Sequence, residues 1–163
     1  MVLVWMQYFK KVIHYGLIIA FCFVLGLQGI VLASNDNLIV IGNSKSPIKQ
    51  LSLAQIRSIF LGKTNKVNGQ VVRGYYQPAS SSITNSFYQT IFQWTPRQVS
   101  RYWSSQVFGG GVTQLSTVAN DSAAIKLTSQ YIGVITYVES RSLALSPYRN
   151  KIRVLYGKYN PIY

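Results

Sequence analysis

Three consecutive serines, Ser80, Ser81 and Ser82, stand between a short β-forming run and a helical pattern, and they are the residues of this chain best placed to act on a ligand. The chemistry they offer is anion binding. The first turn of a helix leaves its N–H groups without intrahelical partners and carries the positive end of the helix dipole, and small hydroxyl residues let an oxyanion approach closely. Gln77, at the end of the preceding run, adds an amide, and Arg73 further back can return a cation to the site. The same serines can equally do no more than cap their own helix, and Arg73 can be a solvated residue of a strand edge.

Other chemistries are poorly supplied. His14 and Cys22 both lie in the first 33 residues, so the remainder has neither imidazole nor thiol. That removes disulfides, most nucleophilic and acid–base mechanisms, and the ligands that most transition metals need. The carboxylates are Asp36, Asp121 and Glu139, at a terminus, a helix cap and a strand end. Ser46-Pro47-Ile48-Lys49 has the spacing of a Ser-x-x-Lys nucleophile, but that motif needs its serine to open a buried helix and two partner tripeptides that do not occur here. Gly109-Gly110-Gly111 trails a helix with no Gly-Lys-Ser/Thr after it, which is a connector and not a phosphate loop. The expectation is a non-enzymatic chain without metal or cofactor.

The elements that position the serines follow from periodicity. Val71, Val72, Tyr75 and Tyr76 are β-formers ended by Pro78, and Ile83, Phe87, Tyr88, Ile91 and Phe92 then trace one helical face. Leu38 to Ile41 reads as a buried strand. Ser52 and Gln55 form a capping box for a helix whose inward stripe is Leu53, Ile56, Ile59 and Phe60 and whose stop is Gly62. Asn68-Gly69 is a turn signal. Thr95, Pro96 and Gln98 start another helix with Val99, Tyr102, Trp103 and Val107 inward, and the aromatic residues Trp94, Trp103 and Phe108 read as core. Asn120 or Asp121 caps a helix to about Ser129, Tyr131 to Val138 is the strongest strand, and Ile152, Val154 and Tyr156 alternate as a last one. Helices alternate with strands, so the class is α/β, a small mixed β-sheet covered by helices.

Length and charge set the frame. Lys10 and Lys11 precede an apolar stretch from Leu17 to Leu32, and Val31-Leu32-Ala33 fits the small-residue rule of a signal peptidase. Residues 1–33 are read as a signal peptide and 34–163 as one domain. The stretch of about 16 residues is shorter than the roughly 20 that cross a bilayer comfortably. An uncleaved leader kept as an anchor is the alternative, and the one membrane contact expected. Export without cysteine in the mature part suggests a bacterial periplasm. With Lys10 and Lys11 in the leader, fourteen Lys and Arg oppose three carboxylates, a net charge of +11 that attracts anions.

In order along the chain, several segments are similar to the phosphate-type periplasmic substrate-binding proteins of ABC importers. Leu51-Ser52-Leu53-Ala54-Gln55-Ile56-Arg57-Ser58-Ile59-Phe60-Leu61-Gly62-Lys63 resembles that family's Leu-Ser to Ile-Phe-x-Gly-Lys helix. The polar turn before Ser81, Phe87-Tyr88, Tyr102-Trp103, Val107-Phe108 and Gly133-Val134-Ile135-Thr136-Tyr137-Val138 follow at matching positions, so the resemblance covers roughly Leu38 to Val138. It implies a single PBP-like lobe, resembling the second of the family's two, because the Gly-rich anion-binding segment of the first has no counterpart here. It also implies an oxyanion such as phosphate as ligand and an importer or envelope protein as partner. Anchored on Phe87, Ser81 matches the family's serine, but Gln77 stands where its phosphate-binding Arg would be, Ser80 and Ser82 replace glycines, and Ile83 replaces Thr. Loss of the Arg removes a contact of roughly 1.5 to 3 kcal/mol.

A second class of function stays open. Arg141, Arg149, Lys151, Arg153 and Lys158 fall near Tyr148, Tyr156, Tyr159 and Tyr163. Basic residues interleaved with aromatics can bind anionic polymers, envelope lipids or a protein partner with no small ligand. A soluble face on a protein of high isoelectric point is the plainer reading, and a dedicated nucleic-acid surface is not expected.

Overall fold

The computed structural model describes residues 37–110 and 115–159. The proposed signal peptide lies outside the described residues. The centre of the fold is β1 (Leu38–Asn43), six residues all buried, which is the pattern of a strand covered on both faces. It is flanked by β5 (Val134–Glu139) and β6 (Ile152–Tyr156), both antiparallel to it, and β4 (Arg73–Gly74) adds to the outer side of β5 in parallel, giving the order β4-β5-β1-β6. A parallel pair needs a crossover, and the helices between residues 82 and 130 supply it.

Side-chain alternation splits the core between the two faces. Val40, Ile135 and Tyr137 face a large core shared with α1 (Leu53–Phe60), α2 (Ser82–Phe87) and α3 (Pro96–Phe108). Ile39, Ile41 and Val138 face a smaller one with Ala124 and Ile125 of α4 (Asp121–Gln130) and Leu143 of α5 (Ser140–Ala144). The result is one small mixed sheet between two helical layers, the α/β class expected. Gly157 closes the sheet against β1: its φ is +98° and a Cβ there would lie 2.5 Å from Leu38 O.

Both expected capping boxes are present. Gln55 N–H donates to Ser52 Oγ at 3.2 Å and Ser52 N–H to Gln55 Oε1 at 2.9 Å, and Thr95 and Gln98 repeat the pattern at the start of α3. Asn68-Gly69 turns a two-residue hairpin of β2 (Lys66–Val67) and β3 (Gln70–Val71), with φ of 49° and 80°. Other expectations are corrected. The run from Val71 to Tyr76 is not one strand: β3 pairs with β2, β4 with β5, and Tyr76 bridges to Thr117. The strongest strand, expected from Tyr131, starts at Val134, because Tyr131 is the C-cap of α4. Continuing α2, Tyr88–Phe92 form a π-helical turn that Gln93 ends in the left-handed region at φ 59°.

Phe108 is not core but 90% exposed. It lies five residues beyond the buried Trp103, which on a helix is about 140° away around the axis. Val107 is half-exposed where α3 runs past the edge of the core, while Trp94 packs against the core as expected.

Candidate functional site

The serine turn is positioned from below by an aromatic cluster. Phe87 of α2 stacks on Tyr137 of β5 at a centroid distance of 4.0 Å, with Tyr76 edge-on to both and Phe60 tilted against them. Tyr137 OH accepts the Gln77 N–H at 3.0 Å and lies 3.0 Å from Thr84 Oγ1, so the strand end, the sheet and α2 meet at one hydroxyl. Tyr76 OH donates to Phe60 O and accepts from Trp103 Nε1 at 3.4 Å. Burial pushes both phenols well above the ordinary tyrosine range, so they stay neutral donors and acceptors.

Above this cluster Ser81 is the N-cap of α2, in extended conformation and half-buried, with Ser80 and Ser82 exposed on either side. Its hydroxyl makes no capping bond, unlike those of Ser52 and Thr95. The first-turn N–H groups of Ser82 and Ile83 have no intrahelical partner. Hydroxyls and a positive helix end therefore occur together at the turn.

Gln77 is placed differently from an anion ligand. It is 3% exposed, and its amide donates one hydrogen to Asp121 Oδ1 at 2.6 Å and the other to Tyr137 O at 2.8 Å. Asp121 Oδ2 in turn accepts the Glu139 N–H at 3.0 Å. Both hydrogens of the amide are thus held inside the protein, and its work is to tie the strand end to the start of α4. Arg73 is exposed on β4, four residues before Gln77, roughly 13 Å along an extended chain. It lines clefts with Tyr131 and with Lys63, and none of the three serines lines either. The structure brings the serines together and leaves Gln77 and Arg73 apart from them. Sequence reasoning missed the bond of Gln77 to Asp121 and Tyr137; the partners are 44 and 60 residues away and no local signal marks them.

Ser46 does not open a helix. It is buried in the loop after β1, where its Oγ accepts the Ile48 N–H at 3.3 Å and its carbonyl accepts from Arg153 at 2.8 Å, while Lys49 is exposed. The arrangement a Ser-x-x-Lys nucleophile needs is not formed. Among the basic residues near the C-terminus, Arg153 serves this loop, and Arg141, Arg149, Lys151 and Lys158 are exposed. Tyr148, Tyr156 and Tyr159 pack against the two cores instead of offering free faces, and Tyr163 lies outside the described residues. No described helix is long and apolar enough to cross a membrane.

Solved structures share this fold. A putative phosphate ABC transporter substrate-binding protein with bound phosphate from Clostridium perfringens aligns with a TM-score of 0.52 and 14% identity, over 78% of this chain and 46% of its own. PstS from Borrelia burgdorferi aligns with a TM-score of 0.51 and 15% identity, over 77% of this chain and 49% of its own. No protein-family model matches the sequence, and neither does any curated protein. The likeness is one of fold: the chain has the architecture of one PBP-like lobe, and it spans about half the length of the solved structures it matches.

Proposed function

We propose that this chain is an exported, non-enzymatic solute-binding module of the periplasm that holds a small inorganic oxyanion, such as phosphate, weakly at the serine turn. The observation that carries the reading is Ser81, an N-cap whose hydroxyl makes no bond to its own helix and which exposed Ser80 and Ser82 flank. The positive charge of the chain draws anions toward it. The fold shared with a protein solved with bound phosphate supports the same ligand class. Export rests on the leader pattern of residues 1–33, and the partner of such a module is an importer or another envelope protein.

Binding is weak because no guanidinium serves the turn. Two or three hydrogen bonds from neutral donors and the helix end, less the cost of immobilising the ligand, leave about 3 to 4 kcal/mol, a dissociation constant near the millimolar range. At about ten times that constant a ligand stabilises the fold by about 1.4 kcal/mol. Thermal unfolding in about 10 mM phosphate or sulfate, beside chloride of equal ionic strength, tests this. A rise of about 4 to 5 °C is expected, and a variant with Ser80, Ser81 and Ser82 all replaced by Ala should lose it. An equal rise in that variant would reduce the effect to the general stabilisation that such salts give any fold.

A further inference from the structure

We infer that the cleft at the β4 edge of the sheet docks an acidic protein segment carrying an aliphatic anchor. The cleft is about 430 Å³, with Val71, Val72, Leu127, Tyr131 and Val134 in its walls and Arg73 as its one charged lining residue among those described. Three large apolar side chains remain in water there or beside it: Val71 is 56% exposed, Tyr131 58% and Ile132 45%. Single exposed apolar residues are ordinary, but three around one concavity are the pattern of a contact surface. Its floor depends on Gly133, where a Cβ would stand 2.7 Å from Val71 O. The missing side chain lets β5 begin against that backbone, and the Arg73 N–H donates to Gly133 O at 2.8 Å.

Charge selects the occupant. Among the described residues the carboxylates are Asp121 and Glu139, and each sits at the far end of an element that terminates at the cleft. Asp121 begins α4, about 15 Å of helix from Tyr131. Glu139 ends β5, about 17 Å of strand from Val134. The cleft instead carries Arg73 in its lining, and Lys66 lies directly across the hairpin from the lining residue Val71, both exposed. The negative end of the α4 dipole is about half a charge, less than these two cations. A second copy of the chain would set like charges face to face, which opposes self-association here. A flexible polyanion such as nucleic acid would use the cations and leave the apolar floor empty. A segment with carboxylates flanking a leucine-like residue uses both.

The test is fluorescence anisotropy with the purified protein and a labelled ten-residue peptide of two leucines flanked by glutamates, at about 0.15 M salt, where exposed charges beyond about 8 Å are screened. An all-glutamate peptide of equal length and a single-stranded oligonucleotide run beside it. Saturable binding of the leucine peptide is expected, about tenfold tighter than either comparator, a difference of about 1.4 kcal/mol. Arg73→Glu and Tyr131→Ser should each weaken it about tenfold with little change in melting temperature, since both side chains are exposed, and Ser81→Ala should leave it unchanged. Equal binding of the comparators, no saturable binding, or an affinity indifferent to both cleft variants would each overturn the inference.

Discussion

Replacing Gln77 by Leu removes two inward hydrogen bonds at once while keeping the side chain's bulk. The bond to the Asp121 carboxylate, 2.6 Å long, belongs to the charge-assisted class worth roughly 1.5 to 3 kcal/mol, and the bond to Tyr137 O is worth about 1 kcal/mol. The loss should come to about 2.5 to 4 kcal/mol, toward the lower value because Asp121 is only partly buried and water can reach it. For a domain of this size that lowers the melting temperature by about 9 to 15 °C. Urea unfolding of Gln77→Leu, Asp121→Ala and the double variant measures the shared term directly. Gln77→Glu sharpens the test, since it sets two carboxylates where an amide and a carboxylate now touch. At neutral pH its cost should exceed that of Gln77→Leu, because two like charges then meet where a hydrogen bond stood. A cost below about 0.5 kcal/mol for Gln77→Leu, or additive single variants, would refute the inward role of this amide. If Gln77 is structural, the phosphate-induced thermal shift should survive in Gln77→Leu.

Two further outcomes follow from the same geometry. Ser52→Ala, which breaks a formed capping box, should cost about 1 kcal/mol in urea unfolding, whereas Ser81→Ala should cost under about 0.5 kcal/mol because its hydroxyl caps nothing; equal costs would mean that Ser81 caps α2 in solution. Tyr76 and Tyr137 have raised folded-state pKa values, so above about pH 10 the unfolded chain loses phenolic protons that the folded one keeps. Stability should therefore hold below that pH and fall above it by about 1.4 kcal/mol per pH unit for each tyrosine, with Tyr137→Phe removing one share of the slope. A slope unchanged in Tyr137→Phe would contradict the burial of that phenol.

What could be read before any fold was known is what depends on neighbours in the chain. The capping boxes at Ser52 and Thr95, the Asn68-Gly69 turn and the core stripe of the first helix are set by hydrogen bonds and periodicities a few residues long, and all are present except that Leu53, expected inward with Ile56, Ile59 and Phe60, is exposed in the first turn. The serine turn at the head of α2 was legible in the same way. The string of motifs from Leu51 to Val138 also pointed to one PBP-like lobe, because their order reflects the succession of elements that builds it. The break of the Val71 to Tyr76 run was not legible: residues 70–71 close a local hairpin, but Arg73 and Gly74 pair with β5 and Tyr76 with Thr117, both far along the chain.

The sequence by itself determined the local elements, the absence of thiol and imidazole beyond the leader pattern, and the excess of positive charge. Only the tertiary structure decided what those residues face. Gln77 turned inward because Asp121 and Tyr137, far along the chain, come to rest beneath it; Arg73 went to a separate cleft because β4 pairs at the sheet's edge; Phe108 stayed in water because α3 outruns the core. Helix caps and turns are closed by contacts a few residues apart, so composition and spacing suffice to write them. The surroundings of a side chain are set by contacts across the whole domain, and no short window of sequence contains them.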